Sequence, residues 1–467
     1  MEIKDQRINL LPRYSPRICG AATPAKNGLQ KSYRFHSVAQ STYATLLAQV
    51  KQCQSFIFDS YSLNRENGEI ELRYKLDNGI RFLETITLPT PIGNIVDEAE
   101  LNRALFLLHL FGGISYYKTC CPKKIEVRSG KLTKDQAEFW NTVYTKGLGQ
   151  FFYENKINFL ELINFPTSVS PAISMQERPI EGTSKTLVPV GGGKDSVVTI
   201  EKLRTEETAI TLFRMGTHPI IEELAKIANL PLLSVKRQLS RKLFELNEEG
   251  ALNGHVPITG YLSALTIVIA LLYEFDTIAM SNEKSASEGN IEYLGEEINH
   301  QWSKGEEFEK MFRGYVRRWV TPNVRYENPL RKMTELEIAG EFAKYPQYFS
   351  HVTSCNANWR ILEAKPKERW CNTCPKCAFV FTLLAANMDK KTVLDIFGKN
   401  LFENEELIPL YKELLGIEGH KPFECVGTAA EVKEAFQLIH ERGDFNNTIA
   451  MKLFIDNFKA QRTKHKI

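Results

Sequence analysis

The sequence lacks any hydrophobic run long enough to cross a membrane. Its longest apolar stretch, residues 262–272, is far shorter than the roughly 20 residues that a transmembrane helix needs, and it contains Ser263 and Thr266. Residues 1–7 include acidic side chains and no apolar segment follows them, so we expect no secretory signal. These absences predict a cytoplasmic protein without a membrane partner.

The sequence also lacks an excess of charge of either sign. Lys and Arg total 59, Asp and Glu total 56, and the formal net charge is +3. Such a balance provides no long-range field to attract a polyanion. We therefore expect no nucleic-acid partner and a small-molecule ligand instead. The sequence leaves the oligomeric state open.

No internal repeat or low-complexity tract divides the chain. Its 467 residues, 43% hydrophobic and 25% charged, are typical of a globular protein with more than one domain. A loop rich in Pro, Ser and Thr at residues 166–184 marks the predicted boundary. We predict an N-terminal α+β domain at 1–180, a nucleotide-binding α/β domain at 181–390 and a helical segment at 391–467.

Alternating apolar and polar residues dominate part of the N-terminal domain. The pattern predicts three antiparallel strands joined by Asn-Gly turns, at residues 55–63, 69–74 and 80–88. Residues 1–40 show little periodicity and are expected to be irregular. Residues 114–122 crowd two tyrosines, a lysine and two cysteines together. This stretch is either a buried aromatic junction or a substrate-binding segment.

A glycine-rich turn follows an apolar segment at residues 187–190. Three consecutive glycines, Gly191, Gly192 and Gly193, allow neighbouring backbone amides to face one concavity. The helix predicted to begin near Asp195 adds free N-terminal amides and the positive end of its dipole. The segment therefore predicts an anion site, such as a nucleotide phosphate site, with an ordinary turn as the alternative.

This segment resembles the PP-loop of the N-type ATP pyrophosphatases, in which Ser-Gly-Gly-x-Asp-Ser follows a strand. Gly191 stands in place of the first Ser, so a hydroxyl contact is lost while the amides remain. The resemblance implies that ATP and Mg²⁺ bind here, with Lys194 and Asp195 in catalytic roles. The implied nucleotide-binding residues are Gly191, Gly192, Gly193, Lys194, Asp195, Ser196 and Met215.

Strand and helix patterns alternate after the loop. Strands are predicted at 209–215, 232–235 and 277–281, with helices between them, so we expect a parallel sheet flanked by helices. Its implied fold class is α/β, PP-loop or adenine nucleotide alpha hydrolase-like, preceded by the antiparallel N-terminal sheet. Residues 282–284 follow the last of these strands and are either site residues or solvated loop residues. Thr334 and Glu337 fit a capping box that starts a further helix.

Four of the nine cysteines crowd into one region. Cys371, Cys374 and Cys377 recur every third residue, and Cys355 lies upstream. The odd total and this spacing favour a metal site over a disulfide framework, and four thiolates suit a closed structural Zn²⁺ site. The spacing resembles the zinc site of 7-cyano-7-deazaguanine synthase. Free thiols, one of them redox-active or catalytic, and an iron–sulfur cluster remain alternatives.

Three segments together resemble the UDP-N-acetyl-α-D-muramoyl-L-alanyl-L-glutamate epimerase family of peptidoglycan precursor synthesis. They are residues 113–118, 191–196 and 370–379, and the resemblance covers roughly residues 55–400. It implies that a UDP-muramoyl dipeptide ending in L-glutamate is epimerised in an ATP-dependent reaction. The implied route passes through an acyl-adenylate and releases AMP and pyrophosphate.

The resemblance does not assign the groups that move the α-proton. Tyrosine, cysteine, histidine and carboxylate side chains can all do so, and the candidates are Tyr116, Tyr117, Cys120, Cys121, His255 and Glu283. Three other functions remain open: an amidotransferase of the 7-cyano-7-deazaguanine synthase type, an RNA-modifying adenylating enzyme and a non-catalytic nucleotide sensor.

Overall fold

A computed structural model describes residues 52–93, 97–169, 184–206, 208–359 and 366–464. These residues belong to one unit, Thr45–Ile467. The arm predicted at residues 1–40 lies outside the described residues, as does most of the linker predicted at 166–184. Within the described ranges, no helix is both long enough and apolar enough to cross a bilayer.

The β-strands of the described chain are short and lie mainly in its first three quarters. They are β1 Ser55–Asn64, β2 Glu69–Leu76, β3 Arg81–Thr87, β4 Lys124–Val127, β5 Lys185–Pro189, β6 Ala209–Met215, β7 Leu232–Gln238, β8 Thr277–Ala279, β9 Ile291–Tyr293, β10 Glu296–Ile298 and β11 Arg325–Glu327.

The α-helices flank the strands and make up most of the C-terminal region. In the described chain they are α1 Glu98–Gly112, α2 Ile114–Tyr117, α3 Lys134–Gly147, α4 Gly149–Glu154, α5 Lys194–Leu203, α6 Pro219–Ala228, α7 Arg241–Glu248, α8 Ile258–Tyr273, α9 Glu306–Trp319, α10 Glu335–Phe342, α11 Pro375–Asn387, α12 Lys390–Phe397, α13 Ile408–Leu414, α14 Ala429–Arg442 and α15 Ile449–Lys464.

Nine strands form one mixed sheet in the order β11-β8-β5-β6-β7-β3-β2-β1-β4, and β9 pairs with β10 as a separate antiparallel ribbon. Strands β5, β6, β7, β8 and β11 are mutually parallel, whereas β1, β2 and β3 are antiparallel. The structure confirms an α/β fold, the three predicted N-terminal strands and the parallel arrangement after the loop. It adds an antiparallel pairing of β3 with β7, which joins both sets into one sheet.

A buried ionic network supports the β3–β7 pairing. Glu84 on β3 lies 2.9 Å from Nε of Arg237 on β7 and accepts hydrogen bonds from the hydroxyls of Tyr116 and Tyr261. The Tyr116 oxygen in turn accepts from the backbone amide of Ser240. Removing a charge from water is costly unless partners surround it, and here several partners surround the Glu84 carboxylate.

Glycine explains how α1 packs so closely on the N-terminal strands. A Cβ atom on Gly112 would collide with the Tyr74 hydroxyl, and one on Gly113 would collide with the Phe58 ring. Gly113 has φ −57°, an ordinary right-handed value. These two glycines are thus needed for close packing and not for a left-handed cap.

Candidate functional site

The glycine loop leaves β5 at Pro189 and enters α5 at Lys194. Gly192 has φ +75°, which a residue with a side chain adopts only with strain. Gly193 is the N-cap residue, and the amide of Gly191 donates to the Ser196 hydroxyl over 3.2 Å. The structure therefore confirms the predicted glycine turn and helix start, and it adds the left-handed conformation of Gly192.

A cleft of about 330 Å³ opens beside this loop at the carboxyl ends of the parallel strands. Ligands of open α/β sheets bind at this edge. Five of the predicted nucleotide-binding residues line the cleft: Gly191, Gly193, Asp195, Ser196 and Met215. Asn282, from the segment after β8, also lines it. The structure thus brings most of the predicted residues to one cavity.

Lys194 lies beneath the loop and is only 2% exposed. Its ammonium group lies 2.5 Å from Oδ1 of Asp195 and also contacts Oε2 of Glu335. Glu335 is the first residue of α10 and receives a second hydrogen bond, 3.2 Å long, from Lys376. Lys194 thus positions the carboxylates of Asp195 and Glu335 from below the loop. Lys376 contacts Glu335 as well, and it also lines the cleft.

The charges in this cluster hold one another in their ionised forms. Burial raises the pKa of Glu335, but Lys194 and Lys376 lower it more, to about 2. Burial lowers the pKa of Lys194, but Asp195 and Glu335 raise it well above its ordinary value. Paired charges in a site closed to solvent stay fixed in position and can orient a charged ligand.

Helix packing explains where Glu335 lies. The predicted capping box is confirmed, since Thr334 accepts from the amide of Glu337 and the Glu337 carboxylate accepts from the amide of Thr334. The Glu335 amide donates instead to Oε1 of Glu431, the carboxylate of the capping box that Thr428 forms at the start of α14. Helix α14 therefore anchors the start of α10.

The chain between β10 and α10 contributes one more charged residue to the cleft. Lys304 lines it, with its ammonium group 3.4 Å from Sγ of Cys425. Arg331 donates to the backbone carbonyls of Glu283 and Lys304, so it joins the segment that follows β8 to the segment that follows β10. Burial raises the pKa of the Glu283 carboxyl, which favours its protonated form, although Lys304 opposes this effect.

Sequence reasoning missed Lys304, Glu335, Lys376 and Cys425 as site residues. Lys376 had one available signal, because it stands between two predicted metal ligands. The others had no local signal, because no spacing connects them with the glycine loop.

The four predicted cysteine ligands converge. The Sγ atoms of Cys355, Cys371, Cys374 and Cys377 lie within 4.8 Å of one another, and the Cys371–Cys377 sulfur distance is 3.7 Å. A zinc tetrahedron with metal–sulfur bonds of about 2.3 Å has edges of about 3.8 Å. Backbone amides of Cys371 and Cys377 donate to sulfur atoms in the cluster. The geometry therefore fits a closed four-thiolate metal site.

The aromatic stretch after α1 is a buried junction. Tyr116 and Tyr117 are fully buried, and the Tyr117 hydroxyl donates to the carbonyl of Pro122. The Cys120 thiol lies 3.1 Å from that of Cys53, and Cys121 is buried. These contacts favour the structural interpretation of residues 114–122 over the substrate-binding one.

Comparison with known families matches both halves of the chain. Residues 47–327 match the model of the MurL N-terminal domain, and residues 351–466 match that of the MurL C-terminal domain. The chain belongs to the MurL family. The cleft combines residues from both MurL ranges, since the glycine loop lies in the first and Lys376 and Cys425 lie in the second.

Curated relatives of this MurL chain share one name, UDP-N-acetyl-alpha-D-muramoyl-L-alanyl-L-glutamate epimerase. The relative from Xanthomonas oryzae pv. oryzae is 38% identical over 88% of this chain and 91% of its own length. Those from a Micromonospora species and from Salinispora tropica are 39% and 38% identical, each over 87% of this chain and over 92% and 90% of their own lengths. Epimerases are isomerases, so the MurL assignment places this chain among isomerases.

Proposed function

We propose that this chain epimerises the terminal L-glutamate of UDP-MurNAc-L-Ala-L-Glu to D-glutamate during peptidoglycan precursor synthesis. The observation that carries this proposal is the 38–39% identity, over nearly nine-tenths of the chain, to relatives named for that substrate. The cleft supports the proposal because it offers cations and amides to a substrate rich in phosphate and carboxylate groups.

The chemistry of the substrate calls for activation of its carboxylate. The glutamate nitrogen is already in a peptide bond, so it cannot form the Schiff base that a pyridoxal enzyme needs. Adenylation by ATP converts the α-carboxylate into an activated carbonyl and releases pyrophosphate. Removal of the α-proton then no longer creates a dianion. Reprotonation on the opposite face and hydrolysis give the D-glutamyl product and AMP.

The site residues have complementary roles in this proposal. The loop of Gly191, Gly192, Gly193 and Ser196 holds the phosphates through backbone amides, and Met215 contacts the adenine. Lys376 and Lys304 offset the charge that develops on the departing pyrophosphate. Asp195, oriented by Lys194, contributes a ligand for Mg²⁺. When bound, Mg²⁺ would neutralise phosphate charge.

The four-cysteine cluster is proposed to hold Zn²⁺ in a structural role. Four protein ligands leave no open coordination position for a substrate. Cys374 also caps α11, so the cluster fixes the helix that carries Lys376. We infer that the metal stabilises this part of the cleft.

The decisive experiment incubates the protein with ATP, Mg²⁺ and UDP-MurNAc-L-Ala-L-Glu. We expect AMP and pyrophosphate to form and D-glutamate to be found after acid hydrolysis. The matched control replaces ATP by an analogue with a non-hydrolysable α,β linkage and should give neither product. Inversion with that analogue would reject the adenylation route, and an amide product formed only with added ammonia would indicate an amidotransferase.

A further inference from the structure

Cys425 lines the cleft and contacts two groups that can control its proton. Its Sγ atom lies 3.8 Å from Nε2 of His300 and 3.4 Å from the ammonium group of Lys304. Lys304 lines the same cleft. A thiol between a histidine and a cation is the arrangement that produces a reactive thiolate.

The hydrogen bonds of Gln150 determine which His300 nitrogen carries the proton. The Gln150 amide nitrogen donates to the Glu154 carboxylate over 2.8 Å, so the amide oxygen faces Nδ1 of His300 at 2.6 Å. A carboxylate only accepts, which fixes the orientation of the Gln150 amide. Nδ1 must therefore be the protonated nitrogen, and the Nε2 lone pair faces the thiol.

The electrostatic environment keeps the His300 ring neutral. Burial lowers the pKa of His300 to about 4, and the positive charge of Lys304 acts in the same direction. At neutral pH the ring is therefore unprotonated, and its Nε2 atom offers the Cys425 thiol a hydrogen-bond acceptor. The Lys304 ammonium group lies against the same sulfur atom and places a positive charge beside it.

We propose that Cys425 is the catalytic residue that exchanges the glutamyl α-proton on one face of the substrate, with His300, Lys304 and Gln150 as positioning residues. This inference rests on the proposed epimerase function. As the Cα–H bond of the activated glutamyl group breaks, its proton passes to Sγ while the S–H proton passes to Nε2 of His300. The electron pair of the broken bond moves into the adjacent carbonyl. A solvent proton then bonds to Cα from the opposite face as the electron pair returns from the carbonyl, and His300 releases its proton to solvent, which completes the inversion.

The other candidate groups are less suitably placed. Cys120 and Cys121 belong to the buried junction after α1, and Tyr116 is bonded to Glu84. His255 packs against His300 with ring centroids 4.5 Å apart and is not among the described residues that line the cleft. Among the described residues that line the cleft, Cys425 is the thiol.

The test separates adenylation from proton transfer in the complete protein. Adenylation is measured as pyrophosphate–ATP exchange that depends on the dipeptide substrate, and proton transfer as deuterium incorporation from D₂O at the glutamyl α-carbon. For Cys425→Ala and Cys425→Ser we expect deuterium incorporation to fall by about 100-fold or more. Pyrophosphate exchange should persist, which also shows that the variants fold.

Two further variants test the positioning roles and the specificity of the effect. Gln150→Leu removes the acceptor from His300, so it should lower deuterium incorporation and shift its pH dependence, which a purely structural defect would not do. Cys53→Ser, which changes a thiol that is distant in sequence and buried in the N-terminal core, should leave both measurements unchanged.

Deuterium incorporation at the wild-type rate in Cys425→Ala would overturn the inference while leaving the proposed function intact. The converse result is also distinguishable. If deuterium incorporation depends on Cys425 but no pyrophosphate exchange occurs in the wild type, the cysteine role stands and the adenylation route fails.

Discussion

The ammonium group of Lys376 lies 3.2 Å from Oε1 of Glu335, and both side chains are buried. Lys376 stands between Cys374 and Cys377 of the cysteine cluster. Glu335 is the first residue of α10, and its other carboxylate oxygen contacts the ammonium group of Lys194. This single contact therefore connects the proposed metal site, the glycine loop and the cleft.

Glu335→Gln should destabilise the fold by about 3–5 kcal/mol, because it leaves two buried lysines without their shared carboxylate. Urea unfolding measures this loss. Glu341→Gln on the same helix is the matched control. Glu341 pairs with Lys344 at the surface, and its loss should cost less than about 1 kcal/mol. Equal losses in both variants would contradict the importance of the buried cluster.

Removal of the metal should weaken both the fold and the cleft. We expect zinc to be found by elemental analysis of the purified protein, and Cys374→Ser to lower the zinc content and the Tm. Pyrophosphate exchange should also fall, because α11 no longer fixes Lys376. Cys425→Ser keeps all four proposed ligands and should retain zinc. A zinc-free wild type with an unchanged Tm after chelation would reject the site.

Alanine substitutions in the loop should separate strain from ligand contact. Gly192→Ala should cost about 1–2 kcal/mol of stability, because φ is +75° there. Gly191→Ala meets no atom within 4 Å and should change stability by less than about 0.5 kcal/mol. Its methyl group lies at the cleft, so it should weaken ATP binding measured by calorimetry. Unchanged ATP affinity would remove Gly191 from the nucleotide site.

Tyr116→Phe should destabilise the protein by about 1–3 kcal/mol, because it removes hydrogen bonds to Glu84 and Ser240 in the β3–β7 junction. The KM for the substrate should not change. Tyr61→Phe is the control, since that hydroxyl bonds Asn102 at a more exposed position and should matter by less than about 0.5 kcal/mol. A raised KM with normal stability would restore the substrate-binding interpretation.

Stability should fall as pH decreases from about 6.5 to about 4. The unfolded chain protonates His300 at its ordinary pKa of 6.5, whereas the folded protein does so only near 4. Between these values the unfolded state binds more protons, so stability falls by up to about 1.4 kcal/mol per pH unit for this residue. His300→Gln should flatten the dependence of Tm on pH in this window, and parallel curves would disprove the assignment.

The sequence by itself determined the local elements and the recognisable motifs. Period-two alternation predicted β1, β2 and β3, apolar segments separated by helical patterns predicted the parallel strands, and the three glycines marked a phosphate-type turn. Cysteine spacing predicted the convergence of four thiols. Each of these signals lies within a short stretch of chain, where backbone geometry converts spacing directly into position.

Only the tertiary structure decided which distant residues meet. The pairing of β3 with β7, the contact of Glu335 with Lys194 and Lys376, and the contact of Cys425 with His300 join residues separated by tens to more than one hundred positions. Such contacts leave no period in the sequence, because they arise from how helices and strands pack after they form. Packing therefore determines which charged side chains and which thiol lie at the cleft. The loop beside them could be predicted from its three consecutive glycines.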